Sequence, residues 1–200
     1  MVYKQLEILE NFKKIHDLEV INNHSDLKRL SRDFYNYSPV LTSKLDGCIA
    51  DLVVRPKNIQ AVLAVAKKCW DMTLPLTIRG SGTGNYGQSV PLFGGIVMQM
   101  NYLNKIVNFD QDTGFVKVQT GCLMSQLNND LEGKGRELRL LPSTWKTATI
   151  GGFLSGGSGG IGSIEWGFLR DPGNLIALDL ITVNENPKLI QLDTQQAEPI

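Results

Sequence analysis

The sequence has no surplus of charge of either sign and no long apolar run, and each of these absences excludes a class of protein. Lys+Arg and Asp+Glu are both 20, so the formal net charge is zero and there is no basic excess of the kind that binds nucleic acid. No apolar run approaches the roughly 20 residues of a membrane-spanning helix. We therefore expect a small-molecule partner, no nucleic acid and no membrane span.

Cysteine is scarce as well. Cys48, Cys69 and Cys122 are odd in number and form no CxxC pair, which argues against a disulfide framework and against a zinc site. The first residues mix Lys4 and Glu7 with apolar side chains and do not resemble a signal peptide. The sequence therefore predicts ordinary thiols, no metal and a cytoplasmic location.

Glycine, in contrast, is abundant and concentrated in two segments. The first glycine loop, residues 79–88, reads RGSGTGNYGQ, and the second glycine segment, residues 149–162, reads TIGGFLSGGSGGIG. Glycine permits positive φ and lets neighbouring backbone N–H groups converge on an anion. Two such segments predict a cofactor that contains a pyrophosphate.

The first glycine loop also matches the GxGxxG string of dinucleotide-binding folds through Gly82, Gly84 and Gly87, with Asp110 at about the distance of the ribose-binding acid. That fingerprint requires a helix directly after the last glycine. Pro91 and the glycines that follow it do not permit one. No glycine run ends in Gly-Lys-Ser or Gly-Lys-Thr, so a P-loop is excluded too.

The chain divides near residue 40. Apolar residues recur at a spacing of three to four over residues 3–15, which predicts an amphipathic helix. Ser25 with Asp26 predicts the cap of a second short helix. We predict an N-terminal helical arm over residues 1–40 and one domain over residues 41–200.

Within the domain, strands and helices alternate in a mixed order. A strand at residues 52–54 precedes a helix capped by Asn58, and a strand at residues 74–78 leads into the first glycine loop. Further along we predict a strand at 95–100, a hairpin of 106–109 with 115–119, a helix at 124–131, and a hairpin of 175–183 with 189–192. This mixture indicates an α+β fold.

The order of these signals resembles the flavin-binding domain of the vanillyl-alcohol oxidase and p-cresol methylhydroxylase (PCMH-type) superfamily. The resemblance is carried by Arg55 with Pro56, RGSGTG, LPST at 141–144, TIGG at 149–152 and Trp166 with Gly167. It covers about residues 45–192. Within the superfamily, the chain looks most like the branch of the glycolate oxidase flavin subunit, D-lactate dehydrogenase and D-2-hydroxyglutarate dehydrogenase.

The resemblance implies that FAD lies extended between two α+β subdomains. It also implies oxidation of a 2-hydroxy acid such as D-lactate or glycolate, by hydride transfer to flavin N5. Arg79 has a second interpretation as a strand-end ion pair, and the Thr149 hydroxyl has one as a helix cap. The residues that the resemblance assigns to the cofactor are Arg79, Gly80, Ser81, Gly82, Thr83, Gly84, Asn85, Pro142, Ser143, Thr144, Thr149, Ile150, Gly151, Gly152, Gly159, Gly160 and Ile181.

Covalent relatives carry a histidine where this chain has Thr83, so the resemblance implies non-covalent FAD. No residue has a spacing that marks it as a catalytic base, and in the resembling enzymes the substrate groups belong to a later domain. We therefore expect a partner subunit or a C-terminal substrate domain. Two functions remain open: an FAD-dependent oxidoreductase, and a non-catalytic flavin-binding module.

Overall fold

A four-stranded mixed sheet is the largest element of the computed structural model, which describes residues 2–157 and 159–193. Its spatial order is β1-β2-β4-β3, with β1 antiparallel to β2 and the other neighbours parallel. The central strands β2 and β4 are almost continuously apolar and buried, as expected for parallel strands covered on both faces. The strands of this sheet are β1 (Leu18–Ile21), β2 (Leu52–Pro56), β3 (Leu76–Arg79) and β4 (Ile96–Gln99).

Helices cover both faces of this sheet. On one face α1 and α4 pack through Phe12 and Val65 onto Leu52 and Ile96. On the other face α2 packs against the side chains of Val53 and Val97. The helices are α1 (Val2–Lys13), α2 (His24–Leu30), α3 (Pro39–Leu45), α4 (Ile59–Asp71), α5 (Met124–Glu132), α6 (Ile150–Gly156) and α7 (Ser163–Trp166), with a 3-10 helix at Phe34–Tyr37.

The N-terminal segment differs from the helical arm that the sequence predicts. Its first helix is confirmed, but β1 follows it and pairs with β2, so the segment also contributes a strand to the sheet. The second helix is capped by Asn23, whose side chain accepts from Asp26 N at 2.9 Å, and not by Ser25 or Asp26. Asn23 has the extended backbone of a capping residue. The domain boundary at residue 40 stays a prediction.

The C-terminal part of the chain contains two antiparallel hairpins and the helices α5, α6 and α7. Lys117 and Asp179 join the hairpins through an ion pair of 3.0 Å. Both hairpins and α5 are predicted from the sequence, and residues 194–200 of the predicted domain lie outside the described residues. The hairpins are β5 (Ile106–Phe109) with β6 (Val116–Val118), and β7 (Ala177–Ile181) with β8 (Leu189–Asp193). No helix within residues 2–157 or 159–193 is long and apolar enough to cross a membrane.

Candidate functional site

The first glycine loop begins where β3 ends. It belongs to the connection between β3 and β4, which are parallel neighbours, so the chain must return to the other end of the sheet. Residues 80–95 make this return without a helix, as the sequence predicts, and the Rossmann interpretation is excluded. The loop therefore lies at the carboxyl ends of parallel strands, where ligands of mixed α/β sheets bind.

The backbone donors at residues 80–85 of this loop have no acceptor in the part of the chain that the structure describes. Among the described residues, no N–H group of residues 80–85 donates a hydrogen bond, and the hydroxyl groups of Ser81 and Thr83 make none. Gly82 has a φ of 71°, which reverses the direction of successive amides. A half-buried run of unpaired N–H groups is a ready binding place for an anion.

The Arg79 side chain lies beneath the loop on the protein side. It is 7% exposed; its Nη1 donates to Arg32 O at 2.5 Å and to Ser89 Oγ at 3.1 Å, and its Nη2 donates to Ser81 O at 3.5 Å. Burial lowers the pKa of the Arg79 guanidinium, and the charge of Asp33 acts in the opposite direction. Arg79 therefore supports the loop from below. Its direct contact with a phosphate stays a prediction.

The segment after α2 holds the same loop. Phe34 N donates to Gly84 O at 2.8 Å, and the Asp33 carboxylate, 8% exposed, accepts from Tyr35 N at 2.9 Å. Sequence reasoning missed this contact and placed the segment in an arm. Arg79 and Arg32 are 47 positions apart, and no local pattern connects them.

The second glycine segment touches the first loop at one point. A Cβ on Gly80 would collide with Thr149 Oγ1, so the loop backbone lies directly on that hydroxyl. Thr149 is 3% exposed and caps α6, accepting from Gly152 N at 3.3 Å. The two glycine-rich regions are thus adjacent, as a shared ligand requires.

The amides at the start of α6 are already paired. Ile150 N donates to Cys122 O at 2.9 Å, and Gly151 N donates to Thr120 O at 2.8 Å. Gly152 N is bound to the Thr149 hydroxyl, so each of these three groups donates within the protein. Gly151 is needed because a Cβ there would collide with the Thr120 side chain. Contact of these residues with a cofactor stays a prediction.

Two further glycines of the second segment, Gly159 and Gly160, lie close to other parts of the chain. Leu141 and Ile161 exchange backbone hydrogen bonds of 3.1 and 2.8 Å. Gly160 has a φ of 145°, and a Cβ on it would collide with Leu141 O. Gly159 approaches the Ser163 hydroxyl in the same way. Their close backbone approach is therefore to the protein itself.

The other predicted cofactor residues lie around these segments. Pro142 and Thr144 are half-buried in their turn, and Ser143 is exposed. Ile181 on β7 is half-buried and packs against the core beneath the first sheet. Its contact with a cofactor stays a prediction, as do those of the turn.

A further close approach, which the sequence analysis missed, joins the segment after β4 to the segment before α5. A Cβ on Gly121 would collide with Met100 O, just after β4, and Gly121 N donates to Leu103 O at 2.7 Å. Gly121 stands alone between Thr120 and Cys122, outside any glycine cluster. Only the contact itself identifies it.

The thiols and histidines give no sign of reactivity. Burial raises the pKa of Cys69 to about 12 and also raises that of Cys122, which has no exposed surface. His16 and His24 are exposed in the N-terminal segment. Within the described part of the chain, no group of His, Cys, Asp and Glu side chains is arranged to hold a metal ion.

Comparison with known proteins identifies a family model that matches this chain. The profile described as "FAD binding domain" matches residues 50–186, which is more than half of the chain. The match begins just before β2 and extends past β7, so it includes both glycine-rich segments.

Three curated relatives are similar over most of the chain. D-2-hydroxyglutarate dehydrogenase, mitochondrial, of Arabidopsis thaliana is 32% identical over 68% of this chain and 24% of its own length. D-lactate dehydrogenase of Anaerostipes hadrus is 29% identical over 82% of this chain and 33% of its own length. The glycolate oxidase subunit GlcD of Bacillus subtilis is 31% identical over 67% of this chain and 28% of its own length. The chain thus spans about a quarter to a third of these relatives.

Solved structures confirm the fold. Two structures of alkyldihydroxyacetonephosphate synthase align with TM-scores of 0.73 and 0.74, covering 96% and 98% of this chain and 38% and 34% of theirs. At 18% identity this likeness shows the fold alone. The predicted α+β fold of PCMH type is confirmed, as is the family resemblance.

Proposed function

The chain belongs to the FAD binding domain family, and on this premise we propose that it is the flavin-binding part of an oxidoreductase that oxidises a 2-hydroxy acid. The relatives named above support this substrate class, because their names specify D-2-hydroxyglutarate, D-lactate and glycolate. These three compounds share a hydroxyl group on the carbon next to a carboxylate. When bound, the flavin supplies the hydride acceptor.

The observation that carries the proposal is the run of unpaired amides at residues 80–85. FAD contains a diphosphate, and an anion of that shape fits a run of N–H groups that have no acceptor among the described residues. A Cβ at Gly80 or Gly82 would occupy space filled by Thr149 and Arg79, so the loop has little room to relax away from this conformation. The residues present therefore fit the cofactor.

In this proposal each part of the site has a separate task. Residues 80–85 hold the diphosphate through their amides, and the Ser81 and Thr83 hydroxyls add neutral donors. Pro142, Ser143 and Thr144 line the ribityl side, while Thr149 and Gly152 fix the start of α6 beside the loop. Ile181 contributes an apolar contact on the adenine side.

Non-covalent attachment is part of the same proposal. Thr83 stands where covalent relatives carry a histidine, and a hydroxyl does not form a histidyl link. Cys69 and Cys122 are buried with raised pKa values, so neither presents a thiolate to a flavin. Denaturing the loaded protein should release all of its flavin. Flavin that stays with the unfolded chain on a gel contradicts this part.

A partner subunit or a substrate domain completes the proposed enzyme, because no described residue near the loops is placed as a catalytic base. The glycolate oxidase relative is named as a subunit. A cytoplasmic location stays a prediction, and one of the named relatives is labelled mitochondrial. The alternative function is a non-catalytic flavin-binding module.

One experiment separates these possibilities. The chain is purified with added FAD, desalted, and examined for a visible flavin spectrum. D-lactate, glycolate or D-2-hydroxyglutarate is then added without oxygen. Bleaching of the flavin supports the oxidoreductase, and retained flavin without bleaching supports the binding module. Loss of the flavin on desalting contradicts both.

A further inference from the structure

We propose that Arg79 and Asp33 are positioning residues that hold the first glycine loop in its anion-binding conformation, with the backbone of residues 32–34 as their fixed support. The proposal rests on the proposed binding of FAD by this loop. It assigns a role in cofactor affinity to Asp33 and its neighbours at 32–34, which precede the family match that begins at residue 50.

The Arg79 guanidinium contacts the loop near its start and just after its end. Arg79 is its first residue, Ser81 O accepts from Nη2, and Ser89 Oγ just after the loop accepts from Nη1. Arg32 O accepts from Nη1 as well and attaches the group to the N-terminal segment. The planar guanidinium of an arginine has several N–H groups and can donate to all three oxygens at once. A lysine ammonium cannot reach the same three oxygens together.

The loop backbone lies directly on this side chain. A Cβ on Gly82 would collide with the guanidinium of Arg79, so no side chain separates the two. A Cβ on Gly84 would lie 3.4 Å from Asp33 Oδ2 and 2.6 Å from Gln88 Oε1. The main-chain bond from Phe34 N to Gly84 O, 2.8 Å long, completes the support.

Both charged groups are buried and incompletely hydrogen-bonded within the described residues. Arg79 Nε and Asp33 Oδ2 have no partner, and the side chains are 7% and 8% exposed. A buried charge is stable only when compensated, and the negative charge of Asp33 favours the charged form of Arg79. This compensation places a permanent positive charge beneath the unpaired amides, on the side opposite to an incoming anion.

The N-terminal segment is itself fixed to the core, so it can act as a support. Ser31 has no exposed surface, and its hydroxyl accepts from Ala50 N at 2.9 Å. Tyr35 is 1% exposed and donates to Asp46 Oδ1 at 3.0 Å, and the same oxygen pairs with Arg32 at 2.8 Å. The loop is therefore supported by a segment that does not move independently of the sheet.

The test compares Arg79→Gln, Arg79→Lys and Asp33→Asn with Arg29→Gln and Asp26→Asn. The last two are matched controls, because Arg29 and Asp26 form an exposed ion pair on α2, in the same N-terminal segment. Affinity for FAD is measured by quenching of flavin fluorescence. Hydrogen exchange of the Phe34 amide is measured in the FAD-free chain, and thermal unfolding shows that each variant is folded.

We expect Arg79→Gln and Asp33→Asn to weaken FAD binding by about tenfold or more, since each disrupts charge-assisted contacts, and to accelerate exchange at Phe34. Arg79→Lys should recover part of the affinity because it keeps the charge. The controls should stay within about twofold of the wild type, as exposed pairs contribute little. If Arg79→Gln does not fold, Ser89→Ala removes a single acceptor and should weaken FAD by about threefold.

Folded variants that bind FAD as the wild type does overturn the inference. So does weaker binding with unchanged exchange at Phe34, because Arg79 would then act on the ligand directly and not through the loop. A wild-type chain that does not bind FAD at all is a separate outcome. It rejects the proposed function itself, and the positioning role with it.

Discussion

Within residues 2–157 and 159–193, the N–H groups of residues 80–85 in the first glycine loop have no acceptor, whereas the start of the second glycine segment pairs its amides with Cys122, Thr120 and Thr149. Both regions are rich in glycine, yet glycine has a different role in each. In the first it allows the backbone to turn its donors outward. In the second it allows one backbone to approach another. Glycine content alone therefore does not distinguish a ligand-binding loop from a tightly packed one.

The difference comes from what lies behind each segment. The first loop rests on the side chains of Arg79 and Asp33. The second is enclosed by the backbone at Leu141 and by the side chain of Thr120. Substitutions in the two regions should consequently have different effects, on affinity in the first and on stability in the second.

The largest effect is expected at Gly160 in the second segment. Gly160→Val should lower the free energy of unfolding by about 3 kcal/mol or more, because it adds a collision with Leu141 O to a φ of 145°. Urea unfolding measures the change. Gly157→Ala is the control, since it has a positive φ of 58° but nothing within 4 Å, and should cost about 1 kcal/mol. Equal losses of unfolding free energy in the two variants would show that the close contact of Gly160 with Leu141 O does not contribute to stability.

The next effect is on affinity. Gly82→Ala should weaken FAD binding by about tenfold or more while changing the unfolding free energy by about 1 kcal/mol, because the new Cβ displaces the loop from Arg79. Fluorescence titration gives the affinity. Gly135→Ala is the matched control, with a φ of 69° against 71° and nothing within 4 Å. If both variants bind FAD equally well, the first loop is not where the diphosphate binds.

The cap of α6 provides a smaller effect on stability. Thr149→Val removes the hydroxyl that accepts from Gly152 N and should cost about 1 kcal/mol of unfolding free energy. Thr149→Ser keeps that oxygen and should cost less. Thermal unfolding compares the two variants. A serine variant as unstable as the valine variant would show that the Thr149 methyl group contributes as much to stability as the capping hydroxyl does.

The smallest effect is a pH dependence in the core of the first sheet. Burial raises the pKa of Cys69 to about 12, so the folded chain retains the thiol proton more strongly than the unfolded chain. Stability from this thiol is complete below the unfolded pKa of about 8.5 to 9 and is lost as the pH rises toward 12. With an unfolded pKa of about 9, the unfolding free energy falls by about 0.8 kcal/mol between pH 8 and 9.5.

Urea unfolding at pH 8 and pH 9.5 tests this prediction in Cys69→Ala. The variant should lose less stability over this interval than the wild type does. Cys48→Ala, at a half-buried position, is the control and should behave as the wild type. A wild-type loss no larger than that of Cys69→Ala would show that the thiol proton is not linked to folding.

Much of the fold could be predicted from the sequence where the signal was local. Asn58 caps α4 as expected, accepting from Ala61 N at 2.9 Å, and the hairpins follow from apolar runs on either side of polar turns. The four residues of β1 were missed because their pairing partner, β2, begins 31 residues after β1 ends and nothing local requires it. The helix α3 was missed because Pro39 suggests an end, although it stands in the first turn.

The backbone segments of the candidate site could be predicted from the sequence, but the residues that hold these segments in place could not. RGSGTG marks the loop and its donors, and TIGG marks the start of α6. That the α6 amides are already paired depends on Thr120, and the support of the loop depends on Arg32 and Asp33. These contacts join positions tens of residues apart, so they follow from the tertiary structure and not from any sequence pattern.

One feature of the sheet bears on how a nucleotide would enter and leave. Since β3 and β4 are parallel neighbours, both ends of the 80–95 connection are anchored in the same sheet. The loop between them is also held along its length, since Ser81 O accepts from the Arg79 guanidinium and Gly84 O accepts from Phe34 N. Any movement of the loop that admits or releases a nucleotide must break these contacts, so we expect cofactor exchange to be slow.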